Sequence, residues 1–255
     1  MNPLIFVNAP IPASSRKISL ADIQFLTDYD PMSYDHWLFN KGSSLDLTGR
    51  KQGKALTPQS GAPSYSPNYL TIANALGNGL LTDLSETATA VDTMCVVVRD
   101  NATNGLQSIL GSLGTAGDNS GGGVFFSGSG AARTLFASYR GTTINSAGLG
   151  APTPAGSHYF VGVSRDFSGG VKRVNMFVGG VASIALTGSN AFAPAPAPRK
   201  LGIGSTYIVS AGTPSTSVDF AEAAFYTDVF RSLADLEAMY QKAKVRQAAL
   251  GIAVV

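Results

Sequence analysis

The acidic residues closest to a catalytic pair are Asp219 and Glu222, which lie in one apolar run near the C-terminus. Hydrolysis of a glycosidic bond uses two carboxyl groups that flank the bond, one of them as the acid. In a regular strand, residues three positions apart point to opposite faces of the sheet. We therefore predict that the two residues have structural roles and that the chain has no glycan hydrolase activity.

The chain has two histidines, His36 and His158, and both lie beside aromatic residues in apolar runs. Each is expected to be a hydrogen-bonded strand residue rather than a general base. The single cysteine, Cys95, stands in the run Met94–Val98 and is expected to be a small buried apolar residue. Zinc sites usually take four ligands, mostly Cys and His. With one cysteine and two widely separated histidines, this sequence does not support a zinc site. No nucleophile elbow of the Gly-x-Ser-x-Gly type occurs in a suitable context.

Asp118 and Asn119 begin a loop that continues with Ser120 and the three glycines Gly121–Gly123. Oxygen-rich, flexible loops of this kind can hold calcium. The loop offers only one carboxylate, so the competing interpretation is a plain glycine-rich turn. Calcium is the one cofactor that the sequence leaves open, and we predict that folding requires no metal.

The composition is that of a weakly charged single domain. The chain has 255 residues, of which 13% are charged and 29 are glycine, and all-β sandwiches of this length often form one unit. The 18 basic and 16 acidic residues give a net charge of +2, which is too small a field to indicate nucleic acid binding. No apolar run is long enough to cross a bilayer, so membrane insertion is not expected.

The chain divides into three parts. Residues 1–33 form an arm that contains an apolar piece, a proline-bounded turn and a short helix capped by Ser19. Residues 34–230 consist of about a dozen short apolar runs separated by turn residues, with a predicted two-residue hairpin at Gly179-Gly180. Residues 231–255 form an amphipathic helix that begins at Ser232, followed by an apolar tail. This pattern predicts an all-β, two-sheet antiparallel sandwich with a short N-terminal and a longer C-terminal helix.

The order of these signals resembles the laminin-G-like or concanavalin-A-like family of lectins and glucanases. The resemblance covers about residues 34–243 and lies in Trp37-Leu38-Phe39, Asp46-Leu47-Thr48-Gly49, Ser108-Ile109-Leu110-Gly111, Met176-Phe177-Val178-Gly179-Gly180-Val181, Leu201-Gly202-Ile203-Gly204, Asp219-Phe220-Ala221-Glu222-Ala223-Ala224-Phe225-Tyr226, and Arg231-Ser232-Leu233 through Leu236 to Tyr240.

The resemblance implies a jelly-roll fold but leaves function open, because this fold hosts lectins, glycan hydrolases, adhesion modules and virion proteins. The hydrolases of the family carry Glu-x-Asp-x-x-Glu or Glu-x-Asp-x-Glu, and neither string occurs in this chain. A glycan site would need aromatic faces together with amide and hydroxyl groups. The candidates on expected loops or strand ends are Tyr65, Asn68, Tyr139 and Tyr207, whereas Trp37 is expected in the core.

Both ends of the chain are apolar, where chains normally carry polar residues. We predict that at least one end docks on a neighbouring subunit as an assembly arm. The alternative is that both ends fold back onto their own sandwich. The residues concerned are Leu4, Ile5, Phe6 and Val7 at one end and Leu250, Ile252, Val254 and Val255 at the other.

Three functions fit these features. The first is a structural or adhesion component of a phage particle, such as a tail, baseplate or capsid-surface protein, made in the host cytoplasm because no export signal is evident. Its partners would be other virion subunits, copies of itself in a homo-oligomer, and possible surface glycans. The alternative is a free-standing lectin-like carbohydrate-binding module. A glycan hydrolase with a degenerate motif is the third hypothesis.

Overall fold

The computed structural model describes residues 29–114, 118, 120–144, 146–208 and 216–255. These residues contain fifteen strands, two short 3-10 turns at Ser44–Leu47 and Gly130–Ala132, and one α-helix. The elements are β1 (Asp35–Leu38), β2 (Thr57–Pro58), β3 (Ser64–Ser66), β4 (Tyr69–Ala73), β5 (Leu80–Ser85), β6 (Val91–Asp100), β7 (Gln107–Gly111), β8 (Gly122–Ser127), β9 (Thr134–Tyr139), β10 (Ala147–Gly148), β11 (His158–Asp166), β12 (Lys172–Val178), β13 (Ala182–Gly188), β14 (Lys200–Ile203), β15 (Ser217–Thr227) and α1 (Leu233–Ala248).

The strands form two antiparallel sheets. The first has eight strands in the order β13-β12-β11-β6-β15-β4-β3, with β1 also paired to β15. The second has seven strands in the order β10-β9-β8-β7-β14-β5-β2. This arrangement confirms the predicted jelly-roll sandwich.

The main core lies between the two sheets and is built by alternation along each strand. In β6, the side chains of Met94, Val96 and Val98 point inward, where they meet residues of the second sheet such as Phe126. Trp37 is fully buried in this core, as predicted, and its indole nitrogen donates a hydrogen bond to the carbonyl of Lys54. The opposite residues of the same strands form the outer face of the first sheet.

Helix α1 covers part of that outer face. Its N-terminus carries the predicted capping box, in which Ser232 and Asp235 accept hydrogen bonds from each other's backbone N–H groups. The helix buries Leu236, Met239, Tyr240 and Ala243 in a second apolar cluster, which includes outward-facing strand residues such as Val97 and Phe160. The C-terminal segment therefore packs on the sandwich rather than extending from it.

Three parts of the structure differ from the sequence prediction or lie beyond it. The Gly179-Gly180 hairpin has three connecting residues rather than two, because Val178 pairs with Ala182. Gly180 has the positive φ of +67° that favours glycine, whereas a side chain on Gly179 would collide with the ring of Tyr240. The sequence analysis did not identify β5 or the short strands β2, β3 and β10. The predicted N-terminal helix lies outside the described residues.

No helix in the described part of the chain is long and apolar enough to span a membrane.

Candidate functional site

The outer face of the first sheet beyond helix α1 carries a row of polar side chains. Directly paired residues in antiparallel strands point to the same face, and four successive pairs connect five neighbouring strands. This polar row consists of Ser64 (β3), Thr71 (β4), Asp219 (β15), Arg99 (β6) and His158 (β11). With neighbouring strands about 4.8 Å apart, the row extends about 19 Å across the sheet.

Asp219 holds the centre of the polar row together. One of its carboxylate oxygens accepts a hydrogen bond of 2.6 Å from the hydroxyl of Thr71. The other accepts hydrogen bonds from Nε and Nη2 of Arg99 at 2.9 and 2.5 Å. The side chain of Asp219 is buried, whereas that of Arg99 is 30% exposed, so the row presents the guanidinium and not the carboxylate to solvent.

Tyr69 supplies an aromatic surface next to the polar row. Its ring lies 5.2 Å from the guanidinium carbon of Arg99 and 6.3 Å, centroid to centroid, from the imidazole of His158. Tyr69 also packs against the apolar cluster beneath helix α1. It therefore marks the boundary between the polar and the helix-covered parts of this face.

The residues after helix α1 form one wall of a pocket at this boundary. The pocket has a volume of about 480 Å³, which is within the range of roughly 300–1,000 Å³ that is typical of small-molecule sites. Asn68 donates a hydrogen bond of 2.8 Å to the carbonyl of Leu250, and Val254 forms a parallel bridge with His158. The pocket, called the tail pocket below, is lined by Asn68, Tyr69, Gly156, Ser157, His158, Gly251, Ile252, Ala253 and Val255.

His158 is the residue shared by the polar row and the tail pocket. Its Nε2 atom is buried and has no hydrogen-bond partner among the described residues. Burial, reinforced by the positive charge of Arg99, lowers the pKa of His158 to about 4. The imidazole is therefore neutral at neutral pH.

Glu222 lies on the same outer face as Asp219, which corrects the expectation that the two point to opposite faces. The pairing of β15 with β6 shifts register between Phe220 and Glu222, and this β-bulge inserts one extra residue, Ala221. Asp219 and Glu222 are three positions apart in the sequence, but because of the bulge their side chains point to the same face of the sheet.

Helix α1 covers Glu222 and provides two of its partners. The carboxylate contacts Nε2 of His36 at 2.9 Å, Nη2 of Arg246 at 2.5 Å and the amide nitrogen of Gln247 at 2.8 Å. Burial alone would raise the pKa of Glu222, but the charges and hydrogen bonds of His36 and Arg246 outweigh it and hold this pKa well below its ordinary value. His36 is hydrogen-bonded as predicted.

The predicted glycan-binding residues do not form one site. Tyr139 is wrong as a candidate because it is 0% exposed and belongs to the core. Tyr65 pairs with Leu70 and packs against that core from the inner face of the sheet. Tyr207 stands near the second sheet, where its hydroxyl accepts a hydrogen bond from the backbone of Lys200. Asn68 alone lies in the tail pocket.

The proposed calcium ligand Asp118 has partners of its own. Its carboxylate forms an ion pair with Arg199 and accepts a hydrogen bond from Ser120. The guanidinium neutralises the charge that would attract a cation. Asn119 lies outside the described residues, and the described residues contain no group of three His, Cys, Asp or Glu side chains that could hold a metal ion.

The C-terminal arm folds back onto its own sandwich, which for this end of the chain is the second of the two alternatives that the sequence left open. Ile252 and Val254 are buried in the cluster beneath helix α1. Burying these apolar side chains against the cluster removes apolar surface from water, which stabilises the folded-back arm. Leu250 is half-buried, and Val255 is 44% exposed and donates its backbone N–H to the carbonyl of His158. The predicted N-terminal arm, Leu4, Ile5, Phe6 and Val7, lies outside the described residues.

The sequence analysis missed Tyr69, Arg99 and Asp219 as members of one site. The sequence analysis did not single out Tyr69 or Arg99, and it considered Asp219 only as half of a rejected catalytic pair. A detectable signal was present, since Arg99 is a charged residue at the end of a run of valines and must leave the core. Its partner could not be identified without the strand order.

Comparison with known proteins shows similarity at the level of the fold. No protein-family model matches the chain, and no curated protein sequence matches it. Among solved structures, a Trypanosoma rangeli sialidase in complex with a difluorinated nononic acid matches with a TM-score of 0.59 and 13% identity, over 94% of this chain and 37% of the sialidase. A mutant of that sialidase displaying trans-sialidase activity matches with a TM-score of 0.55 and 14% identity, over 84% of this chain and 33% of the mutant.

A toxin domain shares the fold as well. The binding domain of botulinum neurotoxin DC in complex with SialylT matches with a TM-score of 0.50 and 7% identity, over 82% of this chain and 51% of the toxin domain. The chain therefore spans about a third to a half of the length of these structures. They support the jelly-roll fold, and they give no support to a phage virion protein.

Proposed function

We propose that the chain is a non-enzymatic carbohydrate-binding module whose site is formed by the polar row, Tyr69 and the tail pocket. The observation that carries this proposal is the continuous line of five polar side chains across five strands, next to an aromatic ring and a pocket. Polar side chains on an outer strand face commonly serve only solubility. Here they flank a concave, partly apolar surface, which is typical of a binding site.

The chemistry of this surface matches that of a sugar. A pyranose ring has an apolar face of C–H groups, which stacks on aromatic rings, and a periphery of hydroxyl groups that donate and accept hydrogen bonds. The ring of Tyr69 and the apolar wall at Ile252 suit the first, and the amide of Asn68, the hydroxyl of Ser157 and the imidazole of His158 suit the second.

The comparisons support a carbohydrate ligand without identifying one. One of the matched structures is a complex of a sialidase with a sugar-derived acid, and another is a complex of a toxin binding domain with SialylT. Identity below 25% shows a shared fold alone, and one fold hosts many functions. The assignment to this chain therefore depends on its own polar row and tail pocket.

A binding role is favoured over hydrolysis by the partners of the two carboxylates. Asp219 is held by Thr71 and Arg99, and Glu222 is covered by helix α1 and held by its partners there. A general acid in a glycosidase needs a raised pKa and access to the glycosidic oxygen. Glu222 has a lowered pKa and is buried, so it meets neither condition.

The test is a glycan array followed by calorimetry on the Tyr69→Ala variant. We expect the wild-type chain to bind one or more array glycans and the variant to lose about tenfold in affinity, which corresponds to about 1.4 kcal/mol. Tyr34→Ala is the matched control, because Tyr34 is also a half-buried tyrosine but lies at the other end of β15, beside Asp83. Equal affinity of the wild type and both variants would show that the surface formed by Tyr69, the polar row and the tail pocket is not the site.

Assignment to a phage particle stays a prediction from the sequence, as do the homo-oligomer, the virion partners and the calcium ion. A carbohydrate-binding module could serve in a particle or as a free-standing protein. Size-exclusion chromatography of the full chain tests the assembly part, since a particle component is expected to form rings or trimers.

A further inference from the structure

The charges at the proposed carbohydrate site indicate which class of sugar it accepts, an inference that rests on the proposed function. Among the described residues of the polar row and the tail pocket, Arg99 is the one permanently cationic side chain. A site for an acidic sugar needs a cation that is free to pair with the carboxylate, preferably in a bidentate contact. Whether Arg99 is free therefore decides the class of ligand.

Arg99 is already paired within the protein. Two of its nitrogens, Nε and Nη2, bind one oxygen of Asp219, and Thr71 binds the other oxygen. The positive and negative charges thus cancel within the polar row. A ligand carboxylate that drew Arg99 away would leave Asp219 as a buried charge with one partner fewer, and uncompensated buried charges are strongly unfavourable.

The neighbouring groups supply no second positive charge. His158 is partly buried beside Arg99, and each of these features favours its neutral form. Asn68, Ser157 and the other side chains that line the tail pocket are uncharged. The surface is therefore a neutral assembly of hydroxyl, amide and imidazole groups around an aromatic ring.

We infer that the site binds neutral oligosaccharides, of hexose or N-acetylhexosamine units, in preference to sugars that carry a carboxylate. The tail pocket takes one sugar. Further sugars extend along the polar row, which provides hydrogen-bonding groups over about 19 Å. The matched structures with acidic sugar ligands share the fold of this chain but do not determine its ligand class.

The experiment uses one set of immobilised sialylated glycans, probed before and after enzymatic removal of the terminal sialic acids. Each glycan then has a matched neutral partner with the same underlying sugars. We expect the full chain to bind the neutral forms more tightly than the sialylated forms, and equal binding of the two would contradict the preference. Binding that is lost when sialic acid is removed would overturn the inference while leaving the proposed function intact. If neither set, nor any other glycan on a broad array, binds, then both are wrong.

The variant Asp219→Asn tests the charge argument itself. It keeps the shape of the side chain but removes the negative charge that compensates Arg99, so the affinity ratio of sialylated to neutral glycans is expected to rise at least fivefold. An unchanged ratio in a folded variant would show that Arg99 is not masked by Asp219. Should the variant fail to fold, the comparison of matched glycans on the wild-type chain still decides the inference.

Discussion

Replacing Glu222 by glutamine is expected to lower the stability of the protein substantially. The carboxylate is buried. It contacts His36, which lies on the sheet, and Arg246 and Gln247, which lie on helix α1. Removing one partner of a buried ion pair costs roughly 3–5 kcal/mol, because the remaining charge stays buried without compensation. For a domain of this size, each kcal/mol corresponds to a shift of roughly 2–4 °C in Tm, so we expect a decrease of about 6–20 °C.

Thermal melting followed by circular dichroism at pH 7 measures this decrease. Glu237→Gln is the matched control, because Glu237 is an exposed residue of the same helix whose carboxylate contacts Gln241. Surface substitutions of this kind usually change stability by no more than about 0.5 kcal/mol. If Glu222→Gln melts at the same temperature as Glu237→Gln, the ion-pair cluster does not hold the helix and the argument is refuted.

The pH dependence of the same pair of proteins gives a second check. The folded-state pKa of Glu222 is lowered, so its stabilisation is fully present above the unfolded pKa, about 4.3, and is lost as the pH falls toward the folded pKa. The variant has no such proton to bind. The stability difference between wild type and Glu222→Gln should therefore shrink by about 1.4 kcal/mol for each pH unit below about 4.3. A difference that stays constant from pH 5 to pH 3 would contradict a lowered pKa.

Three further predictions concern the site and its surroundings. Proton NMR should show that His158 titrates with a pKa of about 4, with its signal assigned by means of a His36→Gln variant, and glycan binding should be constant from pH 8 to pH 5.5. A chelator should leave Tm unchanged because Asp118 is paired with Arg199. A decrease in Tm that Asp118→Ala reproduces would establish a calcium site. Deleting Ile252–Val255 should lower stability by about 3–6 kcal/mol, because two buried aliphatic side chains are lost. The deletion should also weaken glycan binding, and unchanged binding would exclude the tail from the site.

Most of the fold could be predicted because alternation and turn residues are local signals. The strand β5 was missed for an equally local reason. Its residues Leu80–Ser85 include Asp83, an unfavourable residue for a strand, and the segment has few β-branched side chains. The strand is stabilised instead by its pairing with β14 and β2 on either side, which is information that no single segment contains.

The members of the site could be predicted much less well, because their proximity depends on strand order. Thr71, Arg99 and Asp219 are far apart in the sequence and become neighbours only when β15 is inserted between β4 and β6. Tyr139 shows the opposite failure. A tyrosine near the end of a strand was expected at the surface, but its ring packs inward against Phe167 and Phe192.

The β-bulge at Ala221 determines where the polar row ends and the helix-covered surface begins. Without the extra residue, Glu222 would alternate into the apolar space between the sheets, where a carboxylate has no compensating partners. The bulge turns Glu222 to the outer face, where His36 and helix α1 meet it, while Asp219 keeps its place beside Arg99. One inserted residue thus places one carboxylate under the helix and the other in the polar row. The helix then brings its tail to the edge of that row, where the tail pocket forms.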